Sequence, residues 1–120
     1  ERLGWPLQKQ AGYCMGMAWV YRDTDDRDKE NEALQRAAEL YEKSVMTEHY
    51  PINGMSDMMA IYMTGAAYYR LENYEKATQM LSQIMSDQEV RKNDAKLFER
   101  TQNLWLELRE RKAAAEKANG

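Results

Sequence analysis

The chain has 120 residues, a formal net charge of −3, and a composition 43% hydrophobic and 31% charged, which suits one globular domain and is too short for two. A single cysteine, Cys14, and a single histidine, His49, exclude an intrachain disulfide and a zinc site built from Cys and His of this chain alone, and favour a reducing, cytoplasmic setting. The acidic balance argues against binding to nucleic-acid phosphates, and no apolar run approaches the roughly 18 residues that cross a bilayer.

Strand signals are almost absent and Ala, Leu, Met, Glu, Lys, Gln and Arg dominate, so the fold is expected to be all-α. Leu7, Ala11, Cys14, Met15, Ala18 and Trp19 recur at three-and-four spacing behind Pro6, predicting a first helix over 7–22. The acidic stretch 23–30 reads as a loop. Ala33, Leu34, Ala37, Ala38, Tyr41 and Val45 then form the apolar stripe of a second helix, 29–48. Pro51 and Asn53-Gly54 force a break before a third helix over 55–71. Glu72-Asn73 is a minimal turn into a fourth, which starts at Tyr74 and ends near Ser86 or Asp87. Asn93 or Asp94 is suited to cap a fifth helix with Leu97, Phe98, Thr101, Leu104, Trp105 and Leu108 at helical period, and 113–120 is expected to fray.

The first and third of these five helices are apolar nearly all round and are expected to form an inner layer, with the second and fourth outside them. Such alternation invites a search for repeats. Gly65, Ala66, Tyr68, the turn Glu72-Asn73-Tyr74, Ala77, Leu81 and Ile84 resemble one tetratricopeptide repeat, in which small residues let paired helices approach closely. Gly16, Trp19, Ala37, Tyr41 and Ser44 give a second copy if the acidic stretch is a nine-residue insertion between its helices. The resemblance implies antiparallel pairs stacked as an α-α superhelix, with Gly16, Ala37, Gly65, Tyr68, Ala77 and Leu81 at packing positions. It makes the last helix a polar-backed cap.

A second resemblance rests on Ala18-Trp19-Val20-Tyr21-Arg22, the Gly65 helix with Tyr69-Arg70-Leu71-Glu72-Asn73-Tyr74, and Leu104-Trp105. These segments resemble the C-terminal half of a bacterial family, domain of unknown function 2225, where a cysteine-rich, zinc-binding segment precedes the helical part. No such segment is in this sequence, which begins on Glu1 and is expected to be a piece of a longer protein. The resemblance implies a bacterial cytoplasmic protein and no activity.

Few constellations carry chemistry. An EF-hand loop begun at Asp23 would need Gly at its sixth position and a bidentate carboxylate at its twelfth, where Asp28 and Leu34 stand. A Cys14–His49 nucleophile and base is disfavoured, because Cys14 lies in an apolar helix and His49 at a helix end beside Tyr50-Pro51. No catalytic, metal or cofactor residue is therefore assigned, and the chain is not expected to be an enzyme. The nine methionines are more telling, since flexible thioethers line surfaces that accept varied partners.

Aligning Gly16 with Gly65 places Tyr13, Cys14, Met17, Tyr21, Met59, Tyr62, Met63, Ala66, Tyr69 and Arg70 along the concave groove that the repeat architecture implies. The Lys-Asn-Arg clamp that such repeats use on a terminal carboxylate is absent, its positions reading Tyr13, Met17 and Met63 with Asn93 and Leu97. The expected function is a non-catalytic interaction module for an apolar helix or peptide segment. Its partner is expected to be a protein or peptide, a second copy, or the N-terminal region of the parent, with no nucleic acid or membrane. The alternative is an accessory domain of a parent whose cysteine-rich part carries zinc-binding or nucleic-acid-related function.

Overall fold

A computed structural model of the chain describes residues 4–119 and is all-α. Among the described residues there are six helices: α1 (Leu7–Asp23), α2 (Arg27–Thr47), α3 (Asp57–Arg70), α4 (Tyr74–Met85), α5 (Gln88–Asn93) and α6 (Ala95–Asn119). Their starts are written in short polar side chains that accept otherwise unpaired first-turn amides. Asp26 accepts from Lys29 N at 3.2 Å, Ser56 from Met59 N at 3.1 Å, Asn73 from Lys76 N at 3.3 Å and Asp94 from Leu97 N at 3.2 Å. Between α2 and α3, Ile52 and Met55 pair through two backbone hydrogen bonds around Asn53 (φ 51°) and Gly54 (φ 79°). Positive φ at both central residues is the condition for this tight turn, which explains the Asn-Gly pair.

Two expectations need correction. The short helix α5 was not expected: Asp87 caps it through the Glu89 and Val90 amides, and Val90 is its one buried residue. The acidic stretch is mostly not a loop either. Helix α1 runs to Asp23 and α2 starts at Arg27, leaving only Thr24-Asp25-Asp26 between them, so there is no nine-residue insertion. The additional residues lengthen the helices instead, to 17 and 21 residues against 14 and 12 in the α3–α4 hairpin.

The two connections are copies of one another at an offset of 47 residues. Asp25 (φ 60°) and Glu72 (φ 64°) take the left-handed conformation, and Asp26 N and Asn73 N reach back to Tyr21 O and Tyr68 O at 2.8 and 2.9 Å. Asp25 N to Arg22 O, 3.1 Å, is matched by Glu72 N to Tyr69 O, 3.0 Å, and each turn then supplies the cap of its next helix through Asp26 or Asn73. This is the way a helix ends when the residue after its last turn goes left-handed. The correspondence pairs Ala18 with Gly65, Tyr21 with Tyr68, Glu30 with Ala77 and Leu34 with Leu81. It replaces the Gly16–Gly65 alignment.

Each hairpin packs on its neighbour: α2 lies against α3, and α6 packs on α3, α4 and α5. One core cluster joins Leu34, Ala37, Tyr41, Tyr68, Leu81 and Leu108, and a second joins Ile61, Ile84, Val90 and Leu97. The extents are 46 × 38 × 22 Å, so the molecule is about two helix diameters thick in its shortest direction. Helices α2, α4 and α6 all pack against α3. Helix α1 is not covered on every side as expected, because Tyr13 (46% exposed), Trp19 (45%) and Val20 face outward. Helix α6 continues into the segment expected to fray, and most side chains of 113–118 are exposed.

Candidate functional site

The predicted groove separates into three regions once the 47-residue correspondence replaces the glycine alignment. On α3, Met59, Met63, Ala66 and Arg70 share one stripe at three-and-four spacing, and all are half-buried. Tyr62 and Tyr69 belong to the flank of α3 that α6 crosses. Arg100 lies 4.9 Å over the Tyr62 ring, Tyr69 donates to Glu107 Oε2 at 2.6 Å, and Arg111 stands 5.8 Å over the Tyr69 ring. Burial and the Glu107 hydrogen bond and charge push the Tyr69 phenol up to about 12, against a smaller opposing effect of Arg111. These two tyrosines hold α6 rather than a ligand, which corrects their placement along the groove.

Arg70, expected along the groove, is engaged inside the molecule. Its Nη2 donates to Glu30 Oε2 at 2.8 Å, and its guanidinium stacks 4.3 Å over Trp19, whose ring also carries Arg22 at 4.6 Å. Arg27 completes the cluster, donating to Glu30 Oε1 at 3.2 Å and to the Arg70 carbonyl at 3.2 Å. Glu30 is buried. Burial disfavours its charge, but hydrogen bonds from Arg70 and Arg27 and their charges outweigh it and lower its pKa. Sequence reading placed Glu30 in a solvated loop; its signal was the apolar run that begins at Ala33, one turn later on the same helix.

On α1, Met17 and Tyr21 lie on a different flank from Trp19. With Cys14 they line an open cleft of about 290 Å³ whose other wall is Lys29, Glu32, Ala33 and Arg36 of α2. Tyr13 belongs to neither surface: its ring meets Trp5 edge-on at 6.3 Å, and Lys9 lies 4.3 Å over Trp5. The α1 residues that correspond to the α3 stripe are Gly12, Gly16, Trp19 and Asp23, so Trp19 takes the place assigned to Met17, and Asp23 that assigned to Tyr21.

The expected packing residues also divide. At Gly65 a Cβ would come within 3.0 Å of Leu81 Cδ2 and 3.2 Å of Met80 Cβ, so α3 and α4 touch there because the side chain is missing. Ala77 and Leu81 are fully buried on the facing helix, as is Ala37 on α2. Tyr68 is buried and donates its hydroxyl to Glu42; burial, that hydrogen bond and the charges of Glu42 and Glu39 push its pKa up. Gly16 is exposed, and a Cβ there would meet nothing within 4 Å, so it is not a packing residue.

A further polar node fastens the start of α1. Glu48 accepts from Leu7 N at 2.7 Å, Gln8 N at 3.0 Å and Ser44 Oγ at 2.7 Å, and Ser44 Oγ also lies 2.5 Å from the Tyr50 hydroxyl. Gln8 in turn accepts from Asn53 Nδ2 at 3.1 Å. His49 is exposed beyond the end of α2, whereas Cys14 lines the α1–α2 cleft. Among the described residues, no group of three or more His, Cys, Asp or Glu is arranged to hold a metal ion, and no helix is long and apolar enough to cross a membrane.

A family model described as an uncharacterized protein conserved in bacteria (DUF2225) matches residues 5–108, which takes in α1 to α5 and the half of α6 that packs on the body. No curated protein and no solved structure matches the chain.

Proposed function

Since the chain belongs to this bacterial family, whose description names no activity, we propose that it is a non-catalytic, tetratricopeptide-like interaction module that works in the cytoplasm. It binds an apolar helix or extended segment of a partner protein along the α3 stripe. The observation that carries this reading is the stripe itself. Met59, Met63 and Ala66 remain only half-buried although α2, α4 and α6 all pack on α3, and Trp19 beside Arg70 extends the surface onto α1. Methionine side chains adapt to varied apolar partners, and the Trp19–Arg70 stack supplies the aromatic and guanidinium pairing common at interface centres. The duplicated turn at a 47-residue offset supports the repeat architecture, as does the close approach of α3 and α4 at Gly65.

Selection of randomised peptides on the immobilised chain tests the reading. Apolar sequences should be enriched, and Met63→Glu should lose their capture while keeping the helical circular dichroism. Enrichment of no sequence, or capture that ignores Met63→Glu, would remove the stripe as the binding surface.

A further inference from the structure

A second surface, apart from the α3 stripe, emerges from the correspondence between the hairpins. Adding 47 to Cys14, Met17, Tyr21, Lys29, Ala33 and Arg36 gives Ile61, Thr64, Tyr68, Lys76, Met80 and Gln83. The first set lines the open cleft at the edge of the α1–α2 hairpin. In the second set, Ile61, Thr64, Met80 and Gln83 face Glu42, Val45 and Met46 of α2 around a residual cavity of about 200 Å³. Tyr68 completes that contact through its hydrogen bond to Glu42. The second hairpin therefore already holds a helix on this face, and that helix is α2. Burial records the difference: Ile61, Thr64 and Tyr68 are 7%, 1% and 1% exposed, whereas Cys14, Met17 and Tyr21 are half-buried. The chemistry is repeated as well, since Lys29 stands 5.9 Å over the Tyr21 ring as Lys76 stands 5.2 Å over Tyr68.

We propose that the α1–α2 edge cleft docks an amphipathic α-helix of a partner protein that presents a carboxylate to Tyr21 and Lys29 and, one turn on, an apolar side chain to Met17 and Ala33. Helix α2 presents Glu42 and Val45 to the second hairpin in this way. Charge complementarity selects the acid, because Lys29 stands over the Tyr21 ring as Lys76 stands over Tyr68, the tyrosine that meets Glu42. A second copy of this chain does not supply the required face, since its Glu42 and Val45 are engaged on its own second hairpin.

The test titrates the full chain, with isotope-labelled methionine methyls, with a synthetic peptide of the α2 sequence Arg27–Thr47. A staple at positions 35 and 39 keeps the peptide helical; in the chain these side chains are exposed and hydrogen bond at 2.9 Å. The expected result is a saturable shift of the Met17 methyl with Met59 and Met63 unmoved. A Glu42→Lys peptide should bind about tenfold more weakly, and Lys29→Glu in the chain should restore its binding. Met17→Glu, in a chain with Tyr21 isotope-labelled as well, should abolish the peptide-induced shift at Tyr21, with the helical circular dichroism retained. Three results would overturn the proposal: no shift at Met17; shifts confined to Met46 and Met80, which would mean that the peptide displaces the chain's own α2; or a Met17 shift on concentrating the chain alone, which would give the cleft to a second copy. Met59 and Met63 report separately on the α3 stripe, so either surface can fail without the other.

Discussion

Glu48 accepts the backbone amide of Leu7 at 2.7 Å across 41 residues of sequence, so the end of α2 caps the start of α1. Pro6 precedes α1 and offers no side-chain cap of its own, which leaves the first amides of that helix dependent on this carboxylate. Glu48→Ala should cost about 1 to 2 kcal/mol in urea unfolding, the range of a lost N-cap. Glu48→Gln should cost less at neutral pH.

The same carboxylate makes stability depend on acid. Burial works against the charge of Glu48, but hydrogen bonds from Ser44, Leu7 and Gln8 outweigh it and hold the pKa below its ordinary value of 4.5. A lowered folded-state pKa gives stability that is fully present above the unfolded value and is lost as pH falls through the folded one. Unfolding measured from pH 6 downward should therefore show a declining limb below about pH 4.5. That limb should be shallower in Glu48→Gln.

Glu30 and Arg70 form the most buried ion pair described, with side chains 5% and 16% exposed. Removing one partner strands the other, so Glu30→Ala should cost about 3 kcal/mol. The double variant Glu30→Leu with Arg70→Met should recover most of that loss, because no buried charge remains. Additive losses in the double variant would show that the pair is not a unit.

Two of the three helix-interior glycines, Gly16 and Gly65, should respond in opposite directions to alanine. Gly16→Ala meets open space and gains helix propensity, raising stability by up to about 1 kcal/mol. Gly65→Ala drives a Cβ toward Leu81 and Met80, and the overpacking should exceed the same propensity gain, for a net loss of about 1 kcal/mol. Thermal unfolding of the two variants side by side checks the 47-residue correspondence against the glycine alignment.

Asp25 holds a left-handed conformation at an exposed helix end. Glycine adopts it without the clash of a Cβ, so Asp25→Gly should raise stability by about 0.5 to 1 kcal/mol. The gain should appear as a higher melting temperature with unchanged helix content.

Most of the helical boundaries were legible because they are made by local chemistry. Pro6, Pro51, Asn53-Gly54, Asn73 and Asp94 all act where the sequence places them. The rest was set by tertiary structure or by atypical residues. Helix α5 contributes one buried side chain, Val90, and six residues with one apolar position have no period to read. The left-handed residues of the matching turns are Asp25 and Glu72 rather than glycine, so the correspondence between the two turns was hidden while Gly16 suggested another register. Glu30 looked like part of a charge run because its partner Arg70 lies 40 residues away. The residues expected to line one groove divide among the α3 stripe, the α6 contact, the edge cleft and, for Tyr13, the contact with Trp5, a division that depends on a register only the folded turns reveal.

A body 22 Å thick, in which helices pack chiefly on their chain neighbours, has no centre that every element shares. Amide exchange should then vary along the stack rather than from inside to outside. Helices α2 and α3 have neighbours on two sides and should exchange slowest. Helix α1, held mainly by α2 and by the Glu48 and Arg70 contacts, should open first and as a unit, carrying one wall of the edge cleft with it. A helix bound in that cleft would slow exchange in α1 before any other part of the chain, which makes the order of opening a footprint of occupancy.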